Sequence, residues 1–151
     1  MNVGELCKRA PVTAKPFDDL VAVAQLMRKE HVGYIVVVEP SVREDAFNPI
    51  GVVTDRDIVI GVVAKGVDPK SLQVSDVMSR EPALAFEEES VGAALRKMRK
   101  IGVRRLPVVG KREELIGVIS LDDIIDKLVG ELEDAAGSIL SEQMIERALR
   151  K

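Results

Sequence analysis

Two kinds of apolar pattern alternate along the chain. Leu20, Val23, Ala24 and Met27 recur at i, i+3, i+4, i+7, and Val91, Ala94, Leu95 and Met98 repeat that spacing, which predicts an amphipathic helix at each place. Asp18 and Asp19 at the first helix start, and Glu87 to Glu89 at the second, suit the positive end of a helix dipole. After each helix come two compact apolar runs, YIVVV and IGVV in the first half, RLPVV and LIGVI in the second. They are too short for helices and rich in β-branched residues, so they predict strands. A short extended segment, PVTA or PALAF, precedes each helix, and a second helix closes each set. In the later closing helix Ile125, Leu128, Val129 and Leu132 form an apolar stripe.

The order β-α-β-β-α therefore occurs twice, and the residues repeat with it. Shifted by 71 residues, Pro11 falls on Pro82, Leu20 on Val91, Ala24 on Leu95 and Met27 on Met98. The register then slips, because EPSVREDAFNP in the first copy is longer than GKREE in the second; such insertions belong in surface loops. Beyond the slip Gly51 matches Gly117, Thr54 matches Ser120 and Asp57 matches Asp123. One copy is marginal alone, so two are expected to pack into one compact pseudo-symmetric α/β (α+β) module. The divisions expected are 1–70, 71–132 and a helical tail, 133–151. Within the tail Gly137 reads as a break, and Leu140, Met144, Ala148 and Leu149 as the apolar side of a separate helix.

Composition narrows this picture. With 46% apolar and 3% aromatic residues and no Trp, the core must be aliphatic. A net charge of −3 gives no global attraction to nucleic acid. The single cysteine, Cys7, cannot close an internal disulfide, no stretch is apolar enough to span a bilayer, and MNVGELCKRAP lacks the apolar centre of a signal peptide. The chain reads as cytoplasmic.

The segments VTAKP, GVVTDRDI, GVRRLPVV and GVISLDDI, in order and in duplicate, resemble the CBS domain, whose tandem pairs form Bateman modules. The resemblance covers about residues 3 to 132. It implies a non-catalytic sensor that binds an adenosine-type ligand (AMP, ADP, ATP or S-adenosylmethionine) between the repeats, forms a homodimer, and passes its signal to an effector protein. The hydroxyl and Asp of one repeat would hold the ribose, against the first strand and the h-x-x-h-P strand of the other.

That role has a physical basis. An ionised Asp can accept hydrogen bonds from both ribose hydroxyls, and a Thr or Ser three residues earlier lies one helical turn back on the same side. The competing reading is that Thr54 and Ser120 are N-caps, with Asp57 and Asp123 serving the helix dipole; the two roles are compatible. In cleft one, Thr54, Arg56 and Asp57 would face Ala83, Leu84, Arg104, Arg105, Leu106 and Pro107, with the arginines suited to phosphate. In cleft two, Ser120 and Asp123 would face Val12, Thr13, Gly33, Tyr34, Ile35 and Val36. There Gly33 and Tyr34 replace the arginine pair and the family's proline is absent, so cleft two is expected to be the weaker nucleotide site.

Every charged residue from Arg96 to Arg112 is basic. This stretch reads first as solvated cations at the negative end of a helix, and otherwise as a seat for a polyphosphate or an acidic partner. Nucleic acid is disfavoured by the absence of interleaved aromatics. No catalytic set, P-loop or metal-ligand cluster is evident, and no cofactor is expected. Asp55 with Asp57, or Asp122 with Asp123, could at most help hold Mg²⁺ carried in by a nucleotide. His31 reads as a surface helix cap and Cys7 as a small buried hydrophobe. A dimerisation scaffold with vestigial clefts is the alternative function; an enzyme is disfavoured.

Overall fold

The computed structural model describes residues 1–42 and 45–150. In chain order the elements are α1 (Val3–Leu6), β1 (Lys8–Arg9), β2 (Thr13–Ala14), α2 (Leu20–Glu30), β3 (Tyr34–Pro40), β4 (Phe47–Thr54) and α3 (Asp55–Ile58). A single π-helical stretch, Val59–Val63, and a 3-10 turn, Pro69–Ser71, come next. The second copy comprises α4 (Val74–Val77), β5 (Ser79–Arg80), β6 (Ala85–Phe86), α5 (Val91–Ile101), β7 (Arg105–Val109), β8 (Leu115–Ser120) and α6 (Leu121–Leu149).

The expected helices form for the expected reason. Leu20, Val23 and Met27 of α2 are buried, as are Val91, Ala94 and Met98 of α5. The acidic residues do not enter either first turn. They sit just before it, where Asp18 accepts the Lys15 N–H at 2.8 Å and Glu89 accepts the Phe86 N–H at 3.1 Å. In the second copy Ser90 is the N-cap, accepting the Ala93 N–H at 3.2 Å. The insertion in the first copy lengthens a hairpin, since β3 and β4 stay paired out to Pro40 and Phe47. Arg43 and Glu44 of the insertion lie outside the described residues.

Two four-stranded sheets result, ordered β2-β3-β4-β5 and β1-β8-β7-β6. Each sheet borrows its edge strand from the other copy. Lys8 and Arg9 pair with Val118 and Gly117, while Ser79 and Arg80 pair with Val52 and Gly51, the same register in both. The short helices cross over with the strands. Val3 N–H donates to Glu89 O at 2.8 Å, and Val74 N–H donates to Asp18 O at 3.0 Å. Val3 accordingly belongs to the second copy's core with Leu106, Ile119 and Ile124, and Val74 to the first copy's core with Ile35 and Val53.

The tail departs from expectation. Gly137 does not break the chain: α6 runs unbroken through it as 29 residues. A glycine in a helix interior costs only about 1 kcal/mol. Flanking Ala135 and Ala136, and the Ser138 hydroxyl donating to Asp134 O at 2.9 Å, support the helix there. Of the α6 residues only Ile124 is fully buried; Ile125, Leu128, Val129 and Leu132 are exposed. The described residues include no helix long and apolar enough to cross a membrane.

Candidate functional site

Both hydroxyl–carboxylate pairs lie where a β-strand turns into a helix. At the end of β4, Asp57 N–H donates to Thr54 Oγ1 at 3.1 Å and Thr54 N–H donates back to Asp57 Oδ2 at 2.9 Å. This is a reciprocal capping box, and it fixes the carboxylate orientation. At the end of β8, Asp123 N–H donates to Ser120 Oγ at 3.1 Å, and the Ser120 hydroxyl donates to Asp123 Oδ2. Capping is thus real at both positions, and it pre-positions each carboxylate at the rim of a cavity.

The cavity at Asp57 has a volume of about 560 Å³. It brings Thr54, Arg56, Asp57, Ala83, Arg104, Arg105 and Leu106 together. Leu84 and Pro107 do not line it. Pro107 is buried within β7, between two residues that pack inward, and the Leu84 carbonyl accepts the Lys97 ammonium at 2.6 Å. Both arginines reach this cleft because Arg104 precedes β7, where strand alternation has not yet begun. Sequence reasoning missed Ser79, Arg80 and Pro82 in the lining. Ser79 and Arg80 arrive on the exchanged strand β5 and Pro82 follows it, and two-residue strands carry no periodic signal.

The cavity at Asp123 is smaller, about 300 Å³, and takes in Val12, Gly33, Tyr34, Ser120 and Asp123. Thr13 and Ile35 do not line it; Thr13 is exposed and Ile35 is wholly buried in the core behind the strand. Val36 is likewise buried. Lys8, His31, Arg105 and Asp122 contribute instead. His31 reaches the site as the left-handed C-cap of α2, with φ of 54°.

Gly33, Tyr34 and Arg105 wall both cavities. Tyr34 and Arg105 hold equivalent positions in the two copies, and the guanidinium lies 5.8 Å from the centre of the Tyr34 ring, a cation–π distance. Burial pushes the Tyr34 hydroxyl well above the usual phenol range, against the opposing pull of Arg105. A Cβ at Gly33 would meet the Asp55 carboxylate at 2.5 Å, so a larger residue there would push that side chain aside.

The charges around the two clefts differ. Among the described residues nothing pairs with the second oxygen of Asp57. Asp123 Oδ1, by contrast, is bound by the Lys8 ammonium at 2.9 Å. Burial pushes the Asp123 carboxyl up, but the Ser120 hydroxyl and the Lys8 ammonium outweigh it and hold the group below its ordinary value. Arg104 pairs with Asp122 at 2.9 Å. Asp122 and Asp123 therefore each hold a cation already, which suits that pair poorly to a divalent ion. The basic stretch is partly neutralised in the same way: Lys97 binds Glu89 at 2.9 Å and Lys111 binds Glu88 at 3.0 Å.

The CBS domain family profile matches residues 3–63 and 74–130. The chain belongs to the CBS domain family. An uncharacterised protein from Methanopyrus kandleri is 36% identical over 126 residues, covering 83% of this chain, which spans 61% of that relative's length. The CBS domain-containing protein YhcV of Bacillus subtilis is 33% identical over 88% of this chain and 90% of its own. Among solved structures, a CBS domain protein from Pyrobaculum aerophilum complexed with AMP superposes with a TM-score of 0.71 at 31% identity, covering 82% of this chain and 89% of that one. The expected CBS pair, with two β-sheets, helices and a C-terminal helix, is the fold observed.

Proposed function

We propose that the protein is a non-catalytic regulatory module that binds an adenosine-type ligand in the cleft at Asp57. The observation that carries this is the arrangement of cleft one. A capped carboxylate with one oxygen open faces Arg104 and Arg105, from the other repeat, around a cavity of about 560 Å³. The open carboxylate suits a ribose diol and the arginines suit a phosphate. The Arg104–Asp122 pair does not oppose this, because so exposed a pair is worth only about 0–1 kcal/mol and exchanges readily for a ligand oxygen. The AMP complex of the Pyrobaculum aerophilum relative supports the choice of ligand class.

The exposed apolar residues Val59, Ile60 and Val63, with Ile125, Leu128, Val129 and Leu132, support a homodimer. One solved neighbour, a CBS-CP12 protein at 25% identity, is hexameric. An effector protein in the same cytoplasmic compartment would read the ligand-bound state. The shift it reads can be no larger than the ligand's differential affinity for two states.

Calorimetric titration with AMP, ATP and S-adenosylmethionine tests the assignment. Asp57→Ala removes two charge-assisted bonds of about 1.5 kcal/mol each and so weakens binding roughly a hundredfold. Unchanged affinity in a folded Asp57→Ala protein overturns it. The second reading, a scaffold with unused clefts, is favoured by the distal half of α6, where Ile139, Leu140, Met144, Ile145 and Leu149 are exposed. It predicts no heat with any of the three ligands, and loss of self-association on removing residues 137–151.

A further inference from the structure

The two clefts are built on one plan, and one of the differences between them lies on the exchanged strand. Lys8 and Ser79 occupy the same place in it: Lys8 pairs with Val118 on β8, and Ser79 with Val52 on β4. Each lines the cleft that its strand enters. Their effects on the neighbouring carboxylate are opposite. Ser79 leaves Asp57 with an open oxygen, whereas the Lys8 ammonium sits 2.9 Å from Asp123 Oδ1 while Ser120 engages Oδ2. Both oxygens of Asp123 thus have partners before any ligand arrives, and the neighbouring cavity is the smaller one.

We propose that Lys8 is the specificity determinant of cleft two, an internal cation that takes the carboxylate seat a ribose diol would use and so makes the two clefts unequal. This rests on the reading of the clefts as nucleoside sites, and it adds one exchanged residue to the missing arginine pair and proline to which the sequence pointed. The Lys8 side chain is 76% exposed and that of Asp123 only 18%, so the ammonium can leave to water while the carboxylate stays. The seat is therefore reversible, and its strength is that of an exposed ion pair. Replacing Lys8 by the serine of the equivalent strand keeps the backbone pairing and frees Asp123. Placing a lysine at position 79 should create the same block at Asp57.

The test uses adenosine, which carries the ribose diol without a phosphate for Arg105 or His31 to capture. Amide NMR signals of Ser120 and Asp123 report cleft two, and those of Thr54 and Asp57 report cleft one. In Lys8→Ser the half-saturating adenosine concentration for the cleft-two signals falls about fivefold, the most an exposed ion pair supplies. In Ser79→Lys the value for the cleft-one signals rises by about the same factor. Equal cleft-two responses in wild type and Lys8→Ser, or none in either, overturn the proposal. Silence of the Thr54 and Asp57 signals in every protein overturns the nucleoside reading of cleft one instead, and the Lys8 comparison still reads cleft two separately.

Discussion

Asp123 contributes to stability through its protonation state. Its carboxyl is held below the ordinary value by Ser120 and Lys8, against the upward push of burial. A group depressed on folding stabilises the native state above its unfolded pKa, and that contribution is lost as pH falls through the folded value. In Lys8→Ser the carboxyl should titrate higher, so Asp123 contributes less stability and the acid loss is complete at a higher pH; carbon-detected NMR titration of Asp123 reads the change directly. A second residue-scale prediction concerns Gly117, where a Cβ would meet the Lys8 carbonyl oxygen at 2.5 Å. Backbone cannot step aside as a side-chain tip can, so Gly117→Ala should displace β1 and cost about 1–3 kcal/mol in denaturant unfolding. At this scale the sequence was most legible where a residue repeats in both copies. Thr54, Asp57, Ser120 and Asp123 stand at the two cavities because strand end and helix start coincide there. Lys8 was invisible because its role depends on a strand crossing between sheets, which no local pattern encodes.

Among elements, length decided what could be read. α2 and α5, at 11 residues each, carry three helical turns of apolar spacing and were evident. α1 and α4 have four residues and β1 and β5 two, too few for any period. The trace left in the sequence is a cap: Asn2 and Glu5 close a reciprocal box, with Glu5 N–H donating to Asn2 Oδ1 at 3.0 Å. α6 shows the opposite error. Glycine is a weak helix former but not a barrier, and the residues on both sides of Gly137 are compatible with helix. A Cβ at Gly137 meets nothing within 4 Å, so alanine adds no clash. Gly137→Ala should stabilise the distal half of α6 by about 0.5–1 kcal/mol. Slower amide exchange over residues 138–149 would show it; unchanged exchange would mean that the helix is limited elsewhere.

For the whole molecule, the exchanged segments matter more than the repeat boundary. The division at residue 70 follows the sequence repeat, yet each core is completed from across it: Val3 enters the second core and Val74 the first, both fully buried. Either repeat cut free would lose an edge strand, a capped turn of helix and a buried valine together. Fragments 1–70 and 74–150 should therefore be largely unfolded alone and gain structure when mixed. In the intact chain the two copies should unfold as one. Val3→Ala removes about two buried methyl-sized groups at about 0.8 kcal/mol each, plus a cavity term, so a cost near 2 kcal/mol is expected. The two possible architectures differ in where that cost appears. If the copies were independent, only signals from the second sheet, such as Ile119, would melt at lower denaturant, and those of Ile35 and Val53 would stay. With exchanged segments, loss of the second core releases β5 and Val74 from the first, so both sets of signals should move to the same lower midpoint. That coupling would also let a ligand bridging Asp57 and Arg105 change the stability of both copies at once, since a ligand that binds only the folded state stabilises whatever unfolds with its site.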